Sequence, residues 1–199
     1  MSWLEEHAER PRDEFGYLGE GAVVHPRARV VGAKYMSIGE GTYVSAYVRL
    51  EAIDKNPFTG ESLGKPRVEI GRNVIINAGA HVGCIGEIVI EDEVGIATGA
   101  LLVDASQLML DPALPIKRQD EVFGGRVVIR YGSVIGEHAA VLPGVTVGPM
   151  SYVGANSVVT RNVPPYSIAA GAPARVLRTY NLERREWIAM ARGDQSIDH

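Results

Sequence analysis

One histidine near the middle of the chain has the chemistry of a general base. A neutral imidazole accepts a proton near pH 7, so His81 is a candidate general base. Asp104 and Asp111 are alternative bases, but a carboxylate needs a raised pKa to abstract such a proton. Cys84 could act as a nucleophile, although its small neighbours in Val82-Gly-Cys-Ile-Gly favour a packed thiol.

The other four histidines are less suited to chemistry. Two lie in the terminal segments and two are expected at solvated or structural corners: His7, His199, His25 and His138. No two histidines have the spacing of a metal-binding pair, so no metal is expected.

Composition and charge narrow the class of protein. The chain has 199 residues, enough for one substantial domain, and its net charge of -4 gives no general attraction to nucleic acid or to anionic membranes. The single cysteine excludes an intrachain disulfide and favours the reducing cytoplasm. The first 20 residues contain no apolar run, so no signal peptide is expected, and no segment is apolar enough to span a bilayer.

Aliphatic residues recur at every sixth position, and this repeat predicts the fold. They fall into six groups of three: Leu18, Val24 and Val30; Ile38, Val44 and Leu50; Ile70, Ile76 and Val82; Ile90, Ile96 and Leu102; Ile129, Ile135 and Val141; Val147, Val153 and Val159. A six-residue step predicts a short strand followed by a tight corner, and three such steps close one triangular coil. The sequence therefore predicts an all-β parallel β-helix of about six coils. The alternative, a β-sandwich, does not keep this phase over so many residues.

Breaks in the repeat predict how the chain is divided. We expect an N-terminal extension, a β-helix domain and a C-terminal helix with a tail, over residues 1–17, 18–178 and 179–199. Two turn-rich segments should loop out of the helix, at 54–67 and 104–126, and loops on a rigid scaffold are where function concentrates. A short helix is expected over 181–191, with Asn181 as its N-cap.

The C-terminal half resembles the hexapeptide-repeat acetyltransferases of the maltose, galactoside and antibiotic-modifying kind. The resemblance depends on Ile135-Gly-Glu-His-Ala-Ala-Val-Leu-Pro-Gly-Val-Thr-Val-Gly148, on Val153-Gly-Ala-Asn-Ser-Val-Val-Thr-Arg-Asn-Val-Pro-Pro165 and on Ala170-Gly-Ala-Pro-Ala-Arg-Val-Leu-Arg178. The Gly-x-Pro-x-Arg-Val core of the last segment is the most specific of these. The spacing of the repeat does not give the handedness of the β-helix. The resemblance implies that it is left-handed.

The resemblance also implies a homotrimer that holds acetyl-CoA, the acyl donor, in the cleft between neighbouring prisms. The positions that match its CoA-binding residues are Ala155, Thr160, Arg161, Arg175 and Arg178. Guanidinium groups suit the phosphates of CoA, and a small residue leaves room for the pantetheine arm.

The same resemblance places the catalytic base where this chain has Gln107, and a glutamine does not accept a proton usefully near neutral pH. An aromatic position near the site is replaced by Val134. Asn77 matches an asparagine that helps to hold the acceptor, and Asp104 matches a loop acid of sugar-modifying relatives. With no histidine between His81 and His138, His81 is the best remaining base.

Two functions follow. The first is CoA-dependent acyl transfer to a hydroxyl or amine of a small acceptor, such as a sugar or a secondary metabolite. The second is a catalytically degenerate trimer that serves as a binding or scaffold protein, which the loss of the usual histidine favours. A γ-type carbonic anhydrase on the same prism needs three converging histidines, and only His81 is suitably placed.

Overall fold

The computed structural model describes residues 12–56, 60–107, 112–115 and 121–190. These residues form a parallel β-helix of six coils, and each coil contributes one short strand to each of three faces. Short 3-10 turns at Arg12–Glu14 and Ala33–Tyr35 precede the first and second coils.

The strands are numbered in chain order. Coil 1 contains β1 (Tyr17–Leu18), β2 (Val23–Val24) and β3 (Arg29–Val31); coil 2 contains β4 (Met36–Ile38), β5 (Tyr43–Val44) and β6 (Arg49–Ala52). Coil 3 contains β7 (Arg67–Ile70), β8 (Ile75–Ile76) and β9 (His81–Cys84); coil 4 contains β10 (Glu87–Ile90), β11 (Gly95–Ile96) and β12 (Leu101–Val103). A hairpin of β13 (Ala105–Gln107) and β14 (Glu121–Phe123) leads to coil 5, with β15 (Val127–Ile129), β16 (Val134–Ile135) and β17 (Ala140–Val141). Coil 6 contains β18 (Thr146–Val147), β19 (Tyr152–Val153) and β20 (Val158–Val159), and β21 (Ser167–Gly171), β22 (Ala174–Asn181) and β23 (Glu186–Ala189) follow.

Three parallel sheets form the faces of the prism. Face A is β1-β4-β7-β10-β15-β18 and face C is β3-β6-β9-β12-β17-β20, while face B is β2-β5-β8-β11-β16-β19 extended by β21, β22 and β23. Since strands at the same place in successive coils pair in register, as Ile76 does with Ile96, a side chain repeats its direction from coil to coil. Residues in one column therefore share one face.

The core is the column of residues that the six-residue step predicts. All eighteen are buried except Leu18 and Val30 of the first coil, which are partly buried. Their narrow aliphatic side chains fill the cross-section of the prism. The predicted β-helix and its six coils are confirmed.

Close stacking of the coils explains glycine at some corners. A Cβ atom at Gly39 would lie 2.5 Å from the carbonyl carbon of Gly71 in the next coil. Such an atom does not fit without moving the backbone, so the corner of coil 2 requires glycine here.

The helix predicted over 181–191 is wrong, because the described residues of this segment, 181–190, belong to an antiparallel hairpin. β22 pairs with β21, and β23 pairs with β22, which extends face B beyond the last coil. Asn181 still acts as a local cap, since its Oδ1 accepts hydrogen bonds from the backbone amides of Glu183 and Arg184 at 3.0 and 2.8 Å. The free edge of β21 offers backbone hydrogen bonds that a local helical pattern does not reveal.

The longer predicted loop also has structure of its own. Within 104–126, β13 and β14 pair antiparallel and bring the main chains of Gln107 and Glu121 together. Asp111 lies outside the described residues. No helix of the described chain is long and apolar enough to cross a membrane.

Candidate functional site

A charged column crosses the outer side of face C in the first three coils. The register of β3, β6 and β9 places Arg29 beside Arg49 and Arg49 beside His81. Glu51 lies two residues after Arg49, on the same side of β6, because side chains alternate along a strand. Two arginines, one glutamate and one histidine thus meet on one surface.

Glu51 is the centre of this cluster. Its Oε1 accepts a hydrogen bond from Nε of Arg29 at 2.8 Å, and its Oε2 accepts one from a terminal nitrogen of Arg49 at 2.9 Å. His81 Nε2 lies 3.2 Å from the same Oε2. Only 7% of the Glu51 side chain is exposed, so a carboxylate is held in the wall of the prism by two guanidinium groups and one imidazole.

The partners of Glu51 decide its charge. Burial alone would raise the pKa of Glu51, but hydrogen bonds from Arg29 and Arg49, together with the charges of Arg49 and His81, outweigh burial. The pKa of Glu51 therefore lies below its ordinary value. A carboxylate is an acceptor only, so the hydrogen bond to His81 requires the proton to be on Nε2.

His81 is consequently held with its other ring nitrogen available. Burial and the charge of Arg49 lower the pKa of His81, and the charge and hydrogen bond of Glu51 offset this only in part. The imidazole is neutral at pH 7, with Nδ1 as the basic nitrogen. Nδ1 has no hydrogen-bond partner among the described residues, and 24% of the side chain is exposed.

Gly83 makes room for this ring. A Cβ atom at Gly83 would lie 3.0 Å from Nε2 of His81 and 3.4 Å from Val103 of the next coil. A side chain here would press on the imidazole, so glycine leaves the ring free to align with Glu51. The arrangement is that of a general base oriented by a carboxylate.

The sequence analysis missed Arg29, Arg49 and Glu51. Each stands one place before or after an inward residue of the repeat, Val30 or Leu50, and so must point outward. Extending the register from the core column to these outward neighbours would have aligned them with His81.

The other predicted catalytic residues do not join this cluster. Asn77 is exposed at the corner that precedes β9, where its backbone amide bonds to Ile96 of the next coil. Gln107 ends β13, in the hairpin that leaves coil 4. No hydrogen bond joins the Asn77 side chain to His81 among the described residues.

Asp104 is a buried structural residue in the described structure. Its Oδ1 accepts a hydrogen bond from the Ile85 amide at 2.9 Å, and its Oδ2 accepts one from the Gly86 amide at 2.9 Å and one from the Cys84 thiol at 3.2 Å. The residue is fully buried. These contacts fix the turn between β9 and β10 and leave the carboxyl no route to a substrate.

Cys84 is equally unsuited to attack a thioester. The thiol is buried, and burial together with the neighbouring Asp104 charge raises the pKa of Cys84 far above its ordinary value. Because the thiolate is the reactive form, packing is the role that this geometry supports.

The residues predicted to contact CoA lie at two corners of the last coil and on β22, which follows it. Ala155 is exposed between β19 and β20, near the hairpin turn that leads to Arg175, since Gly171 donates a hydrogen bond to Ser157 at 3.1 Å. Thr160 and Arg161 are exposed at the opposite end of β20. Arg178 is exposed on β22, in register with Ile168.

A groove of about 550 Å³ opens beside the Glu51 cluster. It lies where face C turns toward face A in the first two coils, and it is bordered by the 3-10 turn at Ala33–Tyr35 and the beginning of the 54–67 loop. Its lining includes Arg29, Arg49 and Glu51. Within the described residues, no group of three or more histidine, cysteine, aspartate or glutamate side chains is placed to hold a metal ion.

Comparison with known proteins gives the class. The chain is 28% identical over 158 residues to the galactoside O-acetyltransferase of Escherichia coli K12, covering 79% of this chain and 70% of the relative. It is 30% identical over 134 residues to WbbJ of the same organism, an O-acetyl transferase assigned to lipopolysaccharide biosynthesis, covering 64% and 68%. No family model matches the chain.

Solved structures agree on the fold. AntD, an N-acyltransferase from Bacillus cereus crystallised with dTDP and coenzyme A, superposes with a TM-score of 0.70 at 20% identity, over 89% of this chain and 94% of that one. Perosamine N-acetyltransferase from Caulobacter crescentus, in complex with CoA and GDP-perosamine, gives 0.55 at 26% identity, over 78% and 55%.

Fold and relatives together define an acyltransferase built on a left-handed parallel β-helix. Within that class, the chain belongs to the hexapeptide-repeat acetyltransferase family, which confirms the resemblance carried by its C-terminal half.

Proposed function

We propose that this acyltransferase moves an acyl group from a CoA thioester to a hydroxyl or amine of a small sugar acceptor, with His81 as the general base. The observation that carries the proposal is the hydrogen bond from His81 Nε2 to the buried Glu51, which leaves Nδ1 as the basic nitrogen. The relatives support the acceptor class, since their names refer to a galactoside, a lipopolysaccharide and perosamine.

The proposed reaction needs no acyl-enzyme. As the acceptor oxygen or nitrogen attacks the thioester carbonyl carbon, its proton passes to Nδ1 of His81, and Glu51 stabilises the imidazolium that forms. The tetrahedral intermediate then collapses with cleavage of the carbon–sulfur bond. The departing CoA thiolate takes up a proton from the imidazolium, which restores neutral His81.

We further propose that the CoA cleft forms between chains of a homotrimer. Ala155, Arg175 and Arg178 would lie on one side of the cleft, with Thr160 and Arg161 supplied by the neighbouring chain. Arginine forks match phosphate oxygens, so the three arginines are assigned to the phosphates of CoA. The single cysteine supports a cytoplasmic location.

A degenerate trimer that only binds its ligands is the second candidate. The observation that favours it is Gln107, which stands where the family places its base. In this alternative CoA still binds the cleft, but no acyl group is transferred.

The test is release of free CoA thiol from acetyl-CoA in the presence of a panel of hydroxylated and amino sugars. We expect wild-type turnover and, for His81→Ala, a loss of about 10²- to 10⁴-fold in kcat, the usual contribution of a general base. His138→Ala is the matched control, because that histidine is exposed at a corner. Full turnover by His81→Ala would refute the assignment of the base. Stabilisation of the wild type by CoA without thiol release would favour the binding protein.

A further inference from the structure

We propose that the aromatic pair Tyr180 and Trp187 on the C-terminal hairpin binds the adenine ring of the CoA donor. This inference rests on the proposed function and adds to it a contact outside the family motif, which ends at Arg178. The pair lies on β22 and β23, the strands that extend face B beyond the last coil.

The register of the hairpin places this aromatic pair beside Arg178, one of the arginines assigned to the phosphates of CoA. Tyr180 is directly opposite Trp187, and Arg178 is directly opposite Ala189, two positions further along β23. Residues two positions apart on a strand point to the same side of the sheet. Arg178 and Trp187 are therefore diagonal neighbours on one side, with Cα atoms about 7–8 Å apart, a separation that long and aromatic side chains span.

The shared side is the outer side of face B. Arg178 is in register with Ile168, which is partly exposed, whereas the adjacent Ala169 is buried in the core. Since side chains alternate along β21, Arg178 points outward with Ile168. Arg178 is exposed and forms no ion pair among the residues that the structure describes, so its guanidinium group is available to a ligand.

The predicted CoA contacts follow one another along face B in the order of the CoA molecule. Ala155 adjoins Gly154, and a Cβ atom at Gly154 would lie 2.8 Å from the Cβ of Ala170 on β21. Ala170 is in register with Arg175 on β22, and Trp187 lies one strand further, about 4.8 Å away in the direction of the hydrogen bonds. In CoA, the pantetheine arm is joined through a diphosphate to adenosine, which is the same order.

Tyr180 supports the indole of Trp187 and leaves it accessible. The ring centres are 5.3 Å apart and the ring planes are inclined by 63°, which is an edge-to-face contact. Trp187 remains 45% exposed. An exposed indole beside a guanidinium group suits a nucleotide, because a base stacks on the ring while the arginine binds phosphate.

Ile188 has a similar exposure but points to the other side of β23. It is in register with Thr179, whose hydroxyl lies 3.4 Å from that of the buried Ser167. Ile188 is 41% exposed, so it matches Trp187 in accessibility and differs from it in direction. It is therefore the control position for the aromatic pair.

Calorimetric titration of the full chain with CoA and with 4′-phosphopantetheine, which lacks the adenosine, tests the contact. We expect Trp187→Ala to weaken CoA binding by roughly 5- to 150-fold, the usual range for one base stacked on an aromatic ring, and to leave 4′-phosphopantetheine binding unchanged. Trp187→Tyr keeps an aromatic ring and should restore most of the CoA affinity. Ile188→Ala should bind both compounds as the wild type does.

The fluorescence of the indole gives a second readout. The chain has two tryptophans, so Trp3→Phe leaves Trp187 as the single fluorophore. Stacking of adenine should quench its emission. We expect saturable quenching by adenosine 3′,5′-bisphosphate, which carries the adenine without the pantetheine arm, and none by 4′-phosphopantetheine.

Three results would overturn the inference: unchanged CoA affinity in Trp187→Ala, an equal loss for CoA and 4′-phosphopantetheine, and a smaller assembly of Trp187→Ala by light scattering. The last result would assign Trp187 to a contact between chains. Normal acyl transfer with CoA affinity that is independent of Trp187 would leave the proposed function standing. The expected binding pattern without acyl transfer to any acceptor would refute the proposed function and retain the adenine contact.

Discussion

His81 depends on three neighbours that come from two other coils. Glu51 fixes the tautomer of the imidazole, and Arg29 and Arg49 keep Glu51 ionised in a wall that is otherwise apolar. A lone histidine on a strand would rotate between positions, whereas a hydrogen-bonded one presents Nδ1 in one direction. Under the proposed function, these contacts would supply a base to a chain that has Gln107 at the position where the family places its histidine.

Replacing Glu51 with Gln should weaken the base and move its titration. Glu51 raises the pKa of His81 against burial and Arg49, so its removal lowers that pKa further below the ordinary value. We expect the acid limb of the kcat/KM profile, already below pH 6.5 in the wild type, to move to lower pH. The plateau should fall about 10- to 100-fold, as for the loss of a hydrogen bond to a charged group.

Glu69→Gln is the control for this measurement, because Glu69 pairs with Arg67 on face A, away from the cluster. A Glu51→Gln profile that superposes on the wild type would show that Glu51 does not position His81.

The two groups also make the stability of the fold depend on pH in the same direction. The pKa values of Glu51 and His81 are lowered in the folded chain, so their contribution to stability is present above about pH 6.5 and declines as the pH falls.

The coil is the unit that positions the site. Each strand of two to four residues directs one column of side chains inward and the neighbouring column outward, so a single shift of register would bury Arg49 and expose Leu50. The core column therefore holds the column of Arg29, Arg49 and His81 in place.

Two adjacent isoleucines on β8 test the assignment of inward and outward side chains. Ile76 is fully buried and Ile75 is 50% exposed. We expect Ile76→Ala to lower the free energy of unfolding by about 2–5 kcal/mol, because it removes buried methyl groups and leaves a cavity. Ile75→Ala should change it by less than about 0.5 kcal/mol. Denaturant titration of both variants decides the matter, and equal losses would contradict the inward and outward assignment.

The C-terminal hairpin forms strands where the local sequence pattern predicts a helix. Residues 181–191 have a locally helical pattern, yet Trp187 packs edge-on against Tyr180 across a strand pair, with ring centres 5.3 Å apart. The pairing depends on the edges of β21 and β22, both of which begin before this segment of the chain.

At the scale of the whole molecule, the proposed CoA cleft requires more than one chain. Arg161 follows β20 of the last coil and Arg175 lies on β22, and a trimer is proposed to bring the Arg161 of one chain toward the Arg175 of the next. Light scattering should then give three times the chain mass of 21.4 kDa.

Mixing two variants tests the shared cleft directly. We expect Arg161→Glu and Arg175→Glu each to lose CoA affinity, because each places a carboxylate in every cleft. When the two chains are unfolded and refolded together, random assembly leaves roughly one quarter of the interfaces with both arginines intact, so that fraction of normal CoA binding should return. No recovery in a mixed trimer would place both residues on the same side of the cleft, and a monomer would refute the assembly.

The sequence by itself determined the prism, its six coils and its core, because an exact six-residue step of aliphatic residues allows few other ways to bury them. It also determined the family, through the motifs that end at Arg178, and it singled out His81. Only the tertiary structure decided that Arg29, Arg49 and Glu51 surround His81, that Asp104 is a buried support and that the last residues pair as strands. These outcomes depend on which coils stack and which edges remain open, and neither is visible in a local pattern: Glu51, for example, lies 22 positions from Arg29 and 30 from His81 in the chain.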